Sequence, residues 1–192
     1  GASPLARVLA KLRAEAGALR APGVPLMPIM TPGLAAVLAR RLDADAGFAG
    51  APDWDSAPCE TGARARLREH PVVAQAHPVL ARFTARLVEL AALLDGDAHG
   101  RIGSAAVSSG DALGWVETAR GLLVHRVTLD GGKIGRYQIV APTDWNFHPR
   151  GALALELAAL TAADRAELGR RVELLVQSLD PCVAWGVEVG HA

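Results

Sequence analysis

Apolar positions recur with a helical period along most of this chain and alternate like a strand only in one short region. Residues 3–18 carry Leu5, Val8, Leu9 and Leu12 behind Ser3, a helix with a serine N-cap. Pro22, Pro25, Pro28 and Pro32 exclude any regular element over 20–32. Thr31-Pro32 then opens a second helix ending near Asp43. A loop over 47–58 holds Trp54, and 59–69 reads as helical. From Pro78 to Leu94 the positions Val79, Leu80, Phe83, Leu87, Leu90 and Leu94 keep a 3.6-residue period, which places Arg82, Arg86 and Glu89 on the outside. Small residues over 96–110 read as loop. Leu122–Leu129 and Lys133–Val140 alternate and are joined by Asp130-Gly131-Gly132, a hairpin signal. Helices return over 151–160 and from about 162 to 179, the latter with Thr161 and Asp164 as its capping pair. The expectation is an α+β fold over 1–192, mainly helical, with a small antiparallel sheet. It forms a single domain whose first 50 residues are its least defined helical part.

Composition narrows the function classes. With 51% hydrophobic and 21% charged residues the chain is a globular domain. Twenty basic residues balance twenty acidic ones, which leaves no electrostatic case for nucleic acid or an anionic membrane. No run of about 18 apolar residues crosses a bilayer, and no signal-peptide pattern opens the chain. Two cysteines do not make a disulfide framework, so a reduced, cytoplasmic protein with free thiols is expected.

Two constellations carry chemistry. Asp180-Pro181-Cys182-Val183-Ala184-Trp185 reads as a metal-thiolate motif, Asp-Pro-Cys-x-x-Cys, whose second cysteine is tryptophan. Aspartate before proline ends the preceding helix. A cysteine in the first turn of a new helix would then have free N–H groups that favour its thiolate. The alternative for Cys182 is a packed thiol behaving as a small hydrophobe. The second constellation spans 113–150. Arg120 precedes a strand and offers a rigid, permanently charged set of donors to an anion. Thr143 follows Pro142 and offers a hydroxyl beside a backbone N–H. The alternatives are an Arg120 pair with Glu117 and a Thr143 that only caps a turn.

Glu117, Arg120, Gly121 and His125, followed beyond the hairpin by Tyr137, Gln138, Pro142, Thr143, Trp145 and Asn146, resemble the large subunit of nickel-iron hydrogenases. That family carries Glu-x-Pro-Arg-Gly-x-Leu-x-His and then Tyr-Gln-x-Val-x-Pro-Thr/Ser-x-Trp-Asn. Pro58-Cys59-Glu60-Thr61-Gly62 resembles its Pro-Met-Glu-x-Gly, and the C-terminal block resembles its Asp-Pro-Cys-x-x-Cys-x-x-His. The resemblance covers about residues 55–192. It implies that Arg120, Pro142 and Thr143 cradle cyanides of an Fe(CN)2(CO) unit, that Cys182 ligates its iron, and that Asp180 stands beside the site. Cys59 sits at the family's methionine position and is a second possible ligand. His125 is read as a hydrogen-bonding group rather than a metal ligand, and His70, His77, His99 and His148 as surface or loop residues.

The departures redirect the expected function. Trp185 replaces a nickel-binding cysteine, Glu188 stands at the histidine position, and the N-terminal Arg-x-Cys-Gly-x-Cys pair is not in this chain. Thiolates set the geometry of nickel, so no nickel and no hydrogen turnover are expected. Degenerate large-subunit-like proteins of the hydrogenase expression/formation type resemble this pattern. The resemblance implies a non-enzymatic maturation protein that holds Fe(CN)2(CO) transiently. Its partners would be other hydrogenase maturation proteins and the large-subunit precursor. The alternative is an interaction or chaperone module that binds hydrogenase subunits and no cofactor. With the chain ending at Ala192, no C-terminal processing is expected.

Overall fold

The computed structural model describes residues 4–96, 101–188 and 190; the proposed Ser3 cap and His99 lie outside these. Helix α1 (Pro4–Ala18) is followed by the proline-rich segment and α2 (Pro32–Ala44). The Thr31 hydroxyl accepts from Leu34 N–H at 3.3 Å and opens α2, whose Ala35, Leu38, Ala39 and Leu42 face the core. A short 3-10 turn (Phe48–Gly50) leads to a small hairpin, β1 (Asp53–Trp54) with β2 (Ala57–Pro58), where the sequence suggested only loop. Helices α3 (Ala63–Arg66), α4 (Pro71–Ala74) and α5 (Pro78–Leu94) follow.

Four antiparallel strands then run in sequential order: β3 (Ile102–Ser108), β4 (Asp111–Thr118), β5 (Gly121–Asp130) and β6 (Lys133–Val140). Gly131 and Gly132, at φ 55° and 78°, turn the β5–β6 hairpin at the residues the sequence marked. One face of the sheet sends Leu113, Trp115, Leu122, Val124 and Val140 into a core shared with α2, Phe48, Cys59 and Trp145. Helices α6 (Pro142–Asn146), α7 (Ala152–Ala158) and α8 (Arg165–Leu179) complete the α+β fold. At α8 the capping pair is shifted by one turn from the expected one: Asp164 accepts from Glu167 N–H at 2.7 Å, and Glu167 reaches back to Ala163 N–H.

The small residues of 96–110 hide a strand. Gly103 pairs with Trp115 across β3 and β4, and a Cβ there would lie 2.3 Å from the indole. The small side chains make room for that ring, so low bulk signals cross-strand packing and not a loop. The helix expected over 59–69 shrinks to α3. Before it, Glu60 exchanges backbone hydrogen bonds with Pro25 and Met27 at 2.9 Å, so the proline-rich segment lies alongside as a parallel bridge.

Helix α5 has the expected length, and Val79 is buried with Leu80 and Phe83 packed beside it as expected, but the buried face turns away from the later leucines. Ala81, Arg82 and Ala85 are buried, whereas Leu90 and Leu94 are 52% and 81% exposed. The cause is Arg82. Its guanidinium donates to Glu60 Oε1 at 3.0 Å and Oε2 at 2.8 Å, to Glu156 Oε2 at 2.8 Å, and to Ser178 Oγ at 3.1 Å. Arg64 adds a 2.6 Å bond to Glu60. Burial pushes the Glu60 carboxyl up, but Arg82 and Arg64 outweigh it and hold it below the usual carboxylate range. Burial likewise opposes the Arg82 charge, and Glu60 and Glu156 outweigh it.

Where the segment after β2 meets the start of β5, the two backbones touch. Gly62 and Gly121 have φ of 110° and 137°, and a Cβ on Gly121 would lie 2.1 Å from Thr61 Oγ1. Thr61 Oγ1 accepts from Leu122 N–H at 3.2 Å. The buried Asn146 side chain locks the crossing, accepting from Thr61 N–H at 2.8 Å and donating to the Arg120 carbonyl at 3.3 Å.

Arg82→Met leaves the buried Glu156 without a cation and Glu60 with Arg64 alone, and is expected to cost about 3–5 kcal/mol in urea unfolding. Adding Glu60→Gln and Glu156→Gln should recover part of that loss. Glu60 titrates lower in the folded chain than unfolded, so its contribution is complete above the unfolded value of about 4.3 and is lost as pH falls through the folded one. Unfolding followed from pH 6 to pH 3 should therefore show stability falling toward acid, less steeply in Glu60→Gln.

Candidate functional site

Arg120 occupies the tight β4–β5 turn. Thr118 Oγ1 accepts from Arg120 N–H at 3.3 Å and donates to the Gly121 carbonyl at 2.9 Å. With its carbonyl held by Asn146, the residue is fixed at both ends of its backbone. Its guanidinium does not pair with Glu117, because Arg66 takes that carboxylate at 3.0 Å and also grips Glu89. Arg120 Nε instead lies 3.5 Å from Asp180 Oδ2, and both side chains are about half exposed. This pair rims a cavity of about 20 Å³, room for roughly one water-sized group, whose walls include Arg64, Arg86 and Glu60. Arg86 donates to the Ser178 carbonyl at 2.9 Å and so fastens the end of α8 beside Asp180.

Pro142 starts α6, where its missing N–H costs nothing, and is buried. The α6 cap is made by Asp144, which accepts from Ala141 N–H at 2.6 Å, so Thr143 does not serve as the cap. Thr143 lines an apolar cleft of about 790 Å³ together with Phe147, Val176, Pro181, Val183 and Trp185.

Cys182 is exposed. Asp180 leaves α8 at φ 54°, ψ 62°, and no helix follows through residue 188, contrary to the expectation of a new helical turn. The tail instead bends at Cys182 and Val183 and runs along the cleft, which Pro181, Val183, Trp185, Gly186, Val187 and Glu188 line in irregular backbone. A helix end therefore does not supply the positive field expected beside the Cys182 sulfur.

Cys59 has the opposite character. It is 2% exposed, its thiol donates to the Ala57 carbonyl at 3.5 Å, and burial pushes its pKa up to about 11. A group so placed stays protonated at neutral pH, while a metal ligand must be a thiolate. Among the described residues, no group of three or more His, Cys, Asp or Glu side chains has a metal-holding arrangement.

The fold thus brings Arg120 to Asp180, and Thr143 to the residues flanking Cys182, and it keeps Cys59 in the core. Sequence reasoning missed Arg64 and Arg86 at the small cavity. The available signals were Glu60 and Arg64 at i, i+4, and Arg82 and Arg86 one turn apart on α5. His125 makes the expected hydrogen bond, its Nδ1 lying 2.5 Å from Tyr137 Oη with the rings stacked. His148 lies in the loop after α6, as expected, but is buried there; it accepts from Arg150 N–H at 3.0 Å, and burial and Arg150 lower its pKa. Among the described residues, no helix is long and apolar enough to cross a membrane.

The family model described as nickel-dependent hydrogenase matches residues 61–188. The chain is 39% identical over 183 residues to the hydrogenase expression/formation protein HoxV of Cupriavidus necator, which covers 88% of this chain and 48% of that protein. It is 36% identical over 172 residues to HupK of Azotobacter vinelandii, with the same coverages. The uptake hydrogenase large subunit of Rhizobium leguminosarum aligns at 35% over 82 residues, 40% of this chain and 14% of that one. The Ni-Fe-Se hydrogenase from Desulfovibrio vulgaris Hildenborough superposes with a TM-score of 0.46 at 23% identity over 69% of this chain and 36% of that chain. The chain spans about half the length of the HoxV and HupK relatives. With the family's pattern running through most of its length, the chain belongs to the nickel-dependent hydrogenase family.

Proposed function

We propose that this chain is a non-catalytic hydrogenase maturation protein that carries or scaffolds the Fe(CN)2(CO) unit destined for a nickel-iron hydrogenase large subunit. The observation that carries this reading is the unequal reach of its similarity. HoxV and HupK, named for hydrogenase expression and formation, align along most of the chain, and the uptake large subunit along less than half. The cargo is treated as substrate. Cys182 is the exposed thiol and supplies the iron ligand. Arg120 donates to a cyanide nitrogen, and the Thr143 hydroxyl approaches from the cleft wall beside Pro181 and Val183. Charge-assisted hydrogen bonds of this kind contribute about 1.5–3 kcal/mol each. One thiolate and a few such bonds hold a cargo loosely enough to release it to the large-subunit precursor. The chain's only other cysteine, Cys59, is buried and protonated, so nickel lacks the thiolates that fix its geometry here, and hydrogen turnover is not part of this reading.

A second reading rests on the exposed leucines of α5. Leu87, Leu90, Leu93 and Leu94 form a row on its outer face, which suits a module that binds hydrogenase subunits without cofactor.

Infrared spectra of protein purified anaerobically from hydrogenase-producing cells separate the two. The carrier reading expects cyanide and carbonyl bands that disappear in Cys182→Ser, and a bandless wild-type protein sinks it. Full hydrogenase maturation with Cys182→Ser would establish the interaction module instead. The thiols themselves should differ: at pH 8 iodoacetamide is expected to label Cys182 alone, with Cys59 labelled only after denaturation, as read by intact mass.

A further inference from the structure

Arg120 is the cation of the proposed site, yet its guanidinium already has an internal anion. Asp180 Oδ2 stands 3.5 Å from Arg120 Nε at the rim of a cavity too small for more than a one- or two-atom group. The contact is long and both side chains are about half in water, so it is weak. The Asp180 backbone is unusual as well. A residue before proline prefers extended geometry, and Asp180 instead sits in the left-handed region at φ 54°, ψ 62°. Its N–H bonds to the Gln177 carbonyl, and Arg86 fastens the Ser178 carbonyl, so the chain is anchored just before Asp180. Past it, Pro181 and Cys182 belong to a tail without regular secondary structure, bent at Cys182 and Val183.

We propose that Asp180 is a displaceable latch, competing with an incoming anion for Arg120 and coupling the exchange to the position of Cys182. An anion that takes the guanidinium leaves the carboxylate only the nearby charge of Arg86, which stays fastened to the Ser178 carbonyl. The left-handed turn then relaxes toward the extended geometry proline favours, and Cys182 moves with it. The reverse exchange, carboxylate for anion, expels the cargo without any covalent step on the arginine side. The latch rests on the carrier reading for its biological use and not for its physics. The ligand class is a small linear anion with a terminal nitrogen acceptor, such as a cyanide end.

Thiocyanate is a suitable probe, titrated into the full chain while its C≡N stretch and the alkylation rate of Cys182 are followed. Asp180→Asn and Asp180→Gly both tolerate the left-handed backbone and remove the charge. Each is expected to bind thiocyanate roughly twofold to fivefold more tightly than wild type, the range set by an exposed ion pair. Thiocyanate should change the Cys182 alkylation rate in the wild type and leave it unchanged in both variants. Arg120→Gln should bind no thiocyanate in either background. Wild-type affinity in both Asp180 variants, a Cys182 rate indifferent to thiocyanate in the wild type, or no binding by the wild type overturns the latch. These readings need no iron cargo. A working latch in a protein that is bandless from cells removes only the carrier reading, and infrared bands with an indifferent Cys182 rate remove only the latch.

Discussion

Arg82 is the point on which the arrangement of this chain turns. A guanidinium buried to 4% exposure between two carboxylates survives only if every partner arrives in register, since each partner alone is a buried charge of several kcal/mol. Glu60 comes from the segment before α3, Glu156 from α7 and Ser178 from the last turn of α8. Satisfying one arginine therefore fixes three distant pieces of chain against α5. Because Ser178 is two residues from Asp180, the same requirement sets where the C-terminal tail begins. Because Glu60 is next to Thr61, it also sets where β5 can pass.

A second buried arginine does the same for the sheet. Arg126 on β5 holds Asp111 through two bonds, Asp43 through two more, and the Ala39 carbonyl at 2.8 Å, so β4, β5 and α2 share one cation. The Asp43 carboxyl is held below its usual range by its hydrogen bonds to Arg126. Between these two ionic centres lies the neutral clamp of Thr61, Asn146 and the Gly62–Gly121 contact. The site residues hang from the seam: Arg120 beside the glycine contact, Thr143 one helical turn before Asn146, Asp180 just past Ser178.

Much of this was legible in the sequence, and the gaps have physical causes. The β5–β6 hairpin was readable because its tight turn needs positive φ, which Gly131 and Gly132 adopt without strain, and α2 and α5 because proline and period fix their limits. The inward face of α5 was not, since periodicity assumes that leucines outrank an arginine for burial. That ranking reverses when two carboxylates wait on other elements, and no local window contains them. β3 was missed because its small side chains answer to Trp115 across the sheet. At the candidate site, the motifs pointed to Arg120, Thr143 and Cys182 but not to their surroundings. The expected Glu117 partner belongs to Arg66, and the helix expected beneath Cys182 gives way to a tail that follows an apolar cleft.

The contact between Gly62 and Gly121 has a consequence for which positions of this chain tolerate substitution. Position 121 excludes every side chain because Thr61 stands 2.1 Å from where a Cβ would be, whatever the neighbouring arginine binds. Any side chain at position 121 would force the two crossing backbones apart, whereas an exposed position such as Cys182 can be exchanged with little cost to the fold.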